Sequence, residues 1–202
     1  MQPWPRLASL GIVTALAFAA GCAAPSADLQ GSFEASSTHG PRTSLENTVV
    51  YLVSDKPEQA EAAPPPASLE LRGSGQHPTV LAIAVGTRVE FSNRDSVFHK
   101  PFSISPADSF HVGALSPGDM HSVLFEQPGA VHVFCELHPQ ESGYIYVAPT
   151  PRFTRADSHG HFQFTGVAPG HYTLRTWHPE YGETSQAVVV PRHGALQVAV
   201  TD

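Results

Sequence analysis

Proline and glycine interrupt this sequence so often that no window keeps a helical period. The 202 residues hold 19 prolines and 16 glycines. Both mark turns, and neither extends a helix. Helical bundles and coiled coils are therefore disfavoured. Between the turns lie short runs that alternate apolar and polar side chains. In Thr87-Arg88-Val89-Glu90-Phe91 the residues Val89 and Phe91 share one face, and Arg88 and Glu90 share the other. Such period-two runs predict strands at 48–53, 69–72, 79–85, 87–92, 101–104, 121–126, 130–135 and 143–148. A second group is expected near 161–165, 171–177, 185–190 and 195–200, after Pro149 and Pro151. Many short strands with regular turns mean an all-β chain built of sandwiches or barrels.

The first residues read as an export signal rather than as structure. Arg6 is the only charge before an apolar stretch from Leu7 to Ala20, which is too short to span a membrane. Ala19-Ala20-Gly21-Cys22 resembles a bacterial lipobox, with Ala19 at the position where leucine is usual. Cys22 is then the expected lipidation site. A plain secretory signal is the alternative, giving a soluble secreted protein. Both place the protein outside the cytoplasm, and the lipobox places it in the periplasm, anchored to a bacterial membrane. Residues 22–44, rich in Ala, Ser, Gly and Thr, read as a flexible tether. The expected organisation is a signal over 1–21, the tether, a first β domain over 45–149 and a second over 150–202.

Charge narrows the function classes. Eleven basic against eighteen acidic side chains give −7, and loss of Arg6 with the signal makes it −8. That argues against a protein that coats nucleic acid or anionic lipid. No phosphate-cradling loop, dinucleotide turn or catalytic triad signature is present.

Cysteine placement points to chemistry. With Cys22 lipidated, Cys135 stands alone in an oxidising compartment and has no disulfide partner. It sits in Phe134-Cys135-Glu136-Leu137-His138-Pro139. Strand alternation puts Val131, Val133 and Cys135 on one face, and His138 follows in the next loop. Upstream, Phe91-Ser92-Asn93-Arg94-Asp95-Ser96-Val97-Phe98-His99 ends a strand, crosses a loop and opens another with His99. Two imidazoles and a thiolate on one edge of a sandwich are the trigonal set of blue copper. A buried structural thiol or a Cys–His nucleophile are the other readings of Cys135. Nothing in the sequence supplies the orienting group or cleft that a nucleophile requires. His132 falls on the opposite face of its strand and is read as structural. Met120-His121 offers only a weak hint of a second copper site.

These stretches, with Gly143-Tyr144-Ile145-Tyr146-Val147 and Trp177-His178-Pro179, resemble bacterial periplasmic cupredoxins that carry a transthyretin-like (carboxypeptidase-regulatory-like) domain. The resemblance covers roughly residues 45–190. It implies a cupredoxin Greek-key β-sandwich followed by a small transthyretin-like β-sandwich. It also implies one mononuclear copper held by His99, Cys135 and His138, with His138 nearest solvent. Where many relatives carry an axial methionine, this chain has Glu141. Three arrangements stand open there: ligation by Glu141, a site completed without it, and no physiological copper. Lys100 follows the first histidine where plant-type relatives have asparagine, and a lysine side chain cannot accept a hydrogen bond. The brace between the two ligand loops should therefore be altered.

The implied function is single-electron transfer between redox partners in the periplasm, not enzymatic turnover. A cationic protein such as a cytochrome c suits the negative charge, and Phe98, Phe102 and Leu137 are expected to form a docking surface around His138. Two alternatives remain. One is a lipoprotein for copper storage, delivery or tolerance. The other is a metal-free binding lipoprotein that keeps the fold.

Overall fold

The alternating runs do become strands, and they sort into two sandwiches. The structure is a computed structural model that describes residues 25–34, 44–56, 62–73, 75–192 and 194–201. Residues 1–21, expected to be an export signal, and Cys22, the expected lipidation site, lie outside the described residues. Sixteen strands and one three-residue 3-10 turn, Leu45–Asn47, make up the regular structure described, so the all-β class holds.

The first sandwich has nine strands. One sheet contains β5 (Val80–Ala84), β11 (Ser142–Ala148), β10 (Gly129–Cys135), β7 (Pro101–Ile104) and β8 (Ser109–His111), adjacent in that order. The facing sheet runs β4 (Gly75–His77), β3 (Ala67–Arg72), β6 (Thr87–Asn93), β9 (Met120–Phe125). Apolar residues from both inner faces meet between them, with Leu69, Leu71, Val89, Phe91 and Phe125 opposing Val131, Val133, Ile145 and Val147. Each is at most 1% exposed. The period-two pattern thus supplies one wet and one dry face per strand.

The second sandwich has seven strands. Its larger sheet is β12 (Phe153–Arg155), β2 (Val49–Ser54), β14 (Gly170–His178), β15 (Gly182–Val190). Its smaller sheet is β13 (His161–Val167), β1 (Ala27–Glu34), β16 (Ala195–Thr201). Leu29, Phe33, Leu52, Phe162, Leu174 and Val200 help to fill the space between them.

This organisation corrects the sequence-based boundaries. Residues 27–34 are not tether but the central strand of a sheet, pairing with β13 on one side and β16 on the other. The physical reason is legible afterwards: Ala27, Leu29, Gly31 and Phe33 alternate with Asp28, Gln30, Ser32 and Glu34. Gly31 is required there, because a Cβ would fall 2.4 Å from the Phe162 ring and 2.6 Å from the Val198 carbonyl oxygen. The strand expected at 48–53 forms, but it lies in the second sandwich, between β12 and β14. The nine-stranded sandwich is therefore an insertion between the second and third strands of the seven-stranded one. The three-residue strands β4, β8 and β12 were too short to show a period.

The two units share a third apolar cluster. Val80, Tyr146 and Ala148 from the first pack with Val49, Tyr51 and Trp177 from the second. The Arg155 guanidinium donates to the Val80 carbonyl at 2.7 Å across the same seam.

Candidate metal centre

Three short loops at one end of the nine-stranded sandwich bring four donor side chains together. β6 ends in Asn93, which is fully buried. Its amide nitrogen donates to the carbonyls of Val97 at 2.8 Å and Leu115 at 3.0 Å, and its Oδ1 accepts from the Asp95 amide at 2.9 Å. Those bonds fix the 94–98 loop and deliver His99, whose backbone bridges to Leu115. Cys135 is the last residue of β10, paired with Pro101. A tight turn follows, in which the Glu141 amide donates to the His138 carbonyl at 2.9 Å. The turn folds Glu141 back beneath His138. β11 starts immediately after it.

His99, Cys135, His138 and Glu141 are the residues singled out from sequence, and the structure brings all four together. Their donor atoms lie within 4.8 Å of one another. Cys135 Sγ is 3.5 Å from His138 Nδ1 and 3.9 Å from His99 Nδ1. Glu141 Oε2 is 3.0 Å from His99 Nδ1 and 3.4 Å from His138 Nδ1. Ligands held about 2.0–2.3 Å from one ion fall roughly 3–4 Å apart, so the spacing fits a single metal. His99, Glu141 and Cys135 are 0%, 3% and 5% exposed. The His138 side chain, at 28%, is the opening to solvent. A thiolate with two imidazoles suits a transition metal, and the carboxylate adds a hard anionic fourth donor.

The supporting shell is specific. His99 Nε2, buried and without a hydrogen bond, faces Asp95 Oδ2 at 3.6 Å. A carboxylate behind the remote nitrogen is what holds a metal-ligating imidazole in one tautomer. The Lys100 amide donates to Cys135 Sγ at 3.4 Å, and the Glu136 amide donates to the Lys100 carbonyl at 3.0 Å. The brace between the ligand loops is thus carried by backbone. The Lys100 ammonium reinforces it from outside, 2.5 Å from Glu136 Oε2. That hydrogen bond holds the Glu136 carboxyl below its ordinary range, with help from His111.

Among the described residues, the other histidines lie apart from this cluster. His132 points outward, between the rings of Phe134 and Tyr144. Burial lowers its basicity and favours the neutral ring. Met120 and His121 sit exposed on β9, opposite Ser92 and Phe91. His178 is buried by structure, accepting the amides of Glu180 and Tyr181 on Nδ1. His159 and His161 are exposed around Asp157, and His171 is exposed on β14. Val97, Phe98 and Leu137 are 45%, 54% and 47% exposed in the ligand loops. Phe102 differs from its expected place, since it packs on His111 and Phe134 on the outer face of the sheet. Asn93 and Asp95 were visible in sequence only as parts of a motif. Their structural roles depend on the loop's path.

No curated protein matches the sequence. A family model described as polysaccharide lyase family 4, domain II, matches residues 127–197, which spans the last two strands of the first sandwich and much of the second. Among solved structures, a purple cupredoxin from Nitrosopumilus maritimus is 30% identical, with 41% of this chain and 99% of that one covered and a TM-score of 0.37. The copper-containing nitrite reductase of Thermus scotoductus SA-01 is 29% identical over 46% of this chain and 25% of that chain, with a TM-score of 0.40. The present chain thus spans about a quarter of that reductase. The oxidised form of an amicyanin mutant is 19% identical, with 48% of this chain and 97% of that one covered and a TM-score of 0.38.

Proposed function

We propose that the nine-stranded sandwich is a cupredoxin-type unit that holds one mononuclear copper and passes single electrons between redox partners. The observation that carries the reading is the buried convergence of Cys135 Sγ, two imidazole Nδ1 atoms and Glu141 Oε2 within 4.8 Å. Copper bound there would supply a one-electron Cu(I)/Cu(II) couple. The protein's part is to hold the four donors in one geometry on rigid strand ends. The Asn93 side-chain brace and the Lys100 backbone brace perform that work and limit rearrangement between the two oxidation states. Leu137 and Phe98 keep the rim of His138 apolar, which favours close approach of a partner. Of the three arrangements open at Glu141, its inward, buried carboxylate favours ligation. A hard anionic donor stabilises Cu(II) relative to a thioether, so a lower reduction potential is expected than with an axial methionine.

We further propose a periplasmic location with a lipid on Cys22, a cationic redox partner such as a cytochrome c, and a transthyretin-like role for the second sandwich as a fixed platform. A metal-free reading has one observation in its favour. Glu141 and His99 are within hydrogen-bond distance of each other, so the cluster can satisfy itself without an ion.

Copper stoichiometry and the visible spectrum of residues 23–202 test the proposal. One tight copper per chain is expected, with a thiolate charge-transfer band that disappears in Cys135→Ser. The band should move in Glu141→Gln, and the potential should rise. Weak copper that is indifferent to Cys135 would overturn the proposal in favour of the metal-free reading.

A further inference from the structure

The outer face of the five-stranded sheet carries oxidisable side chains that the metal centre does not use. Starting at Phe134, beside Cys135, the rings run in close succession into the second sandwich. Phe134 and His132 have centroids 3.9 Å apart, and His132 stacks on Tyr144 at 4.1 Å. Tyr144 meets Trp177 edge-on at 5.4 Å, and Trp177 stacks on Tyr146 at 4.8 Å. Tyr146 and Trp177 are 2% and 7% exposed.

The end of this series has a proton acceptor. The Tyr146 hydroxyl lies 2.9 Å from Glu183 Oε1 and 3.0 Å from the Tyr51 hydroxyl. One hydroxyl has one proton, so Tyr146 donates to the carboxylate and accepts from Tyr51. Burial, with Tyr51 and Glu183 adding to it, pushes the Tyr146 phenol well above its ordinary range, so the proton stays on oxygen at neutral pH. Tyr172, a buried tyrosine of the second sandwich, is built differently. Tyr172 donates to the Ala168 carbonyl, which cannot take a proton.

Indole and phenol are among the side chains most easily oxidised by one electron. A phenol gives up its proton as it gives up its electron, so a bonded carboxylate lowers the barrier. We propose that Tyr144, Trp177, Tyr146 and Glu183 form a second, proton-coupled one-electron site. A strong one-electron oxidant takes one electron from Tyr146 by way of Trp177 and Tyr144 and is itself reduced by one electron. The Tyr146 proton passes to Glu183 Oε1. A neutral tyrosyl radical and a protonated carboxyl remain. Its contact with the ligand strand through His132 and Phe134 draws oxidising equivalents away from Cys135, whose thiol would otherwise lose one electron and its proton to the same oxidant and become a thiyl radical.

The test uses metal-free protein, residues 23–202, so that it stands apart from copper binding. Trp177 is then the single tryptophan, because Trp4 lies in the leader. Flash-generated tris(bipyridine)ruthenium(III) serves as the oxidant, with transient absorption and electron paramagnetic resonance as readouts. An indole signal should decay into a long-lived tyrosyl signal. That signal should be lost in Tyr146→Phe. In Glu183→Gln, which keeps the hydrogen bond but takes no proton, the radical should be short-lived. Glu183 is exposed, so this variant folds even if the core variant does not. Trp177→Phe should raise the yield of Cys135 thiyl radical captured by a nitrone spin trap. An identical tyrosyl signal in wild type, Tyr146→Phe and Glu183→Gln would overturn the site, and unchanged Cys135 oxidation would overturn its protective role.

Discussion

The two sandwiches differ in how the chain builds them. The nine-stranded unit is one continuous stretch, from Ala67 to Ala148, and every sheet partner of its strands lies within it. The seven-stranded unit is split. β1 and β2 come from the N-terminal side, and β12 to β16 come from the C-terminal side. β1 pairs in parallel with β16, so Asp28 lies opposite Ala195. The unit that carries the candidate metal centre can close as soon as its own residues exist. The unit that supports it must wait for the end of the chain, and long-range pairing of that kind is slow.

Removing residues 23–44 should break the comparison most severely. The cut takes out the middle strand of the smaller sheet, and with it Leu29 and Phe33, which are 0% and 1% exposed. Each of those side chains is worth about 2–5 kcal/mol in a truncation to alanine. Together with the lost ladder, that approaches the whole stability of a domain, about 5–15 kcal/mol. The expected outcome is loss of the seven-stranded unit, seen as a separate low-temperature transition in calorimetry, while residues 62–149 keep their fold and copper stoichiometry. A truncated chain that melts like the full one would show that β1 is dispensable after all.

That same strand shows where sequence reading runs out. The Ala27-to-Glu34 alternation was present, but it lies beside a stretch of Ala, Ser and Gly that resembles a linker. Gly31 removes the one apolar side chain that would have completed the pattern. The strand at 49–54 was legible as a strand, because Val49-Val50-Tyr51-Leu52-Val53 has strong β character. Which sheet it joins is decided by long-range register, which no local window contains. The site was more legible. Cys135 and His138 are three residues apart, and strand alternation alone orients the thiol. His99 was read from the loop that follows Phe91, whereas Glu141 needed the resemblance. Glu141 was identified by its position after His138, whereas its burial came from the turn at His138, and acidic residues are ordinarily exposed.

A smaller effect separates the brace from the ligands. Asn93→Ala leaves the carbonyls of Val97 and Leu115 without their side-chain donor. The Leu115 carbonyl keeps the His99 amide as a donor, so the cost is that of the lost hydrogen bonds, about 0.5–1.5 kcal/mol each. The loss should appear in denaturant midpoints whether or not copper is present. It should also weaken copper binding roughly 10–100-fold, as is usual for groups that orient ligands. If binding is unchanged while stability falls, His99 is positioned by the Leu115 bridge alone.

The smallest effect belongs to the other histidine–carboxylate cluster, at the turn of the seven-stranded unit. Asp157 accepts the amides of His161 at 2.9 Å and His159 at 2.8 Å, with His161 Nδ1 at 3.3 Å. It combines a carboxylate with two imidazoles, as the metal centre does, but its side chains are exposed: 53% for Asp157 and 66% for His161. It has no thiolate, and water competes for each donor. The His161 amide first, and then the His159 amide and the His161 ring, hold the Asp157 carboxyl below its ordinary value of 3.8. A carboxyl whose folded-state value is depressed stabilises the fold fully above the unfolded value and loses that contribution as pH falls through the folded value. Asp157→Asn should therefore be slightly less stable than wild type at neutral pH, and the two should converge in acid below pH 3.8. Copper stoichiometry should be the same in both. A drop in bound copper in Asp157→Asn would mean that exposure does not divide the two clusters, and that the turn is also a metal site.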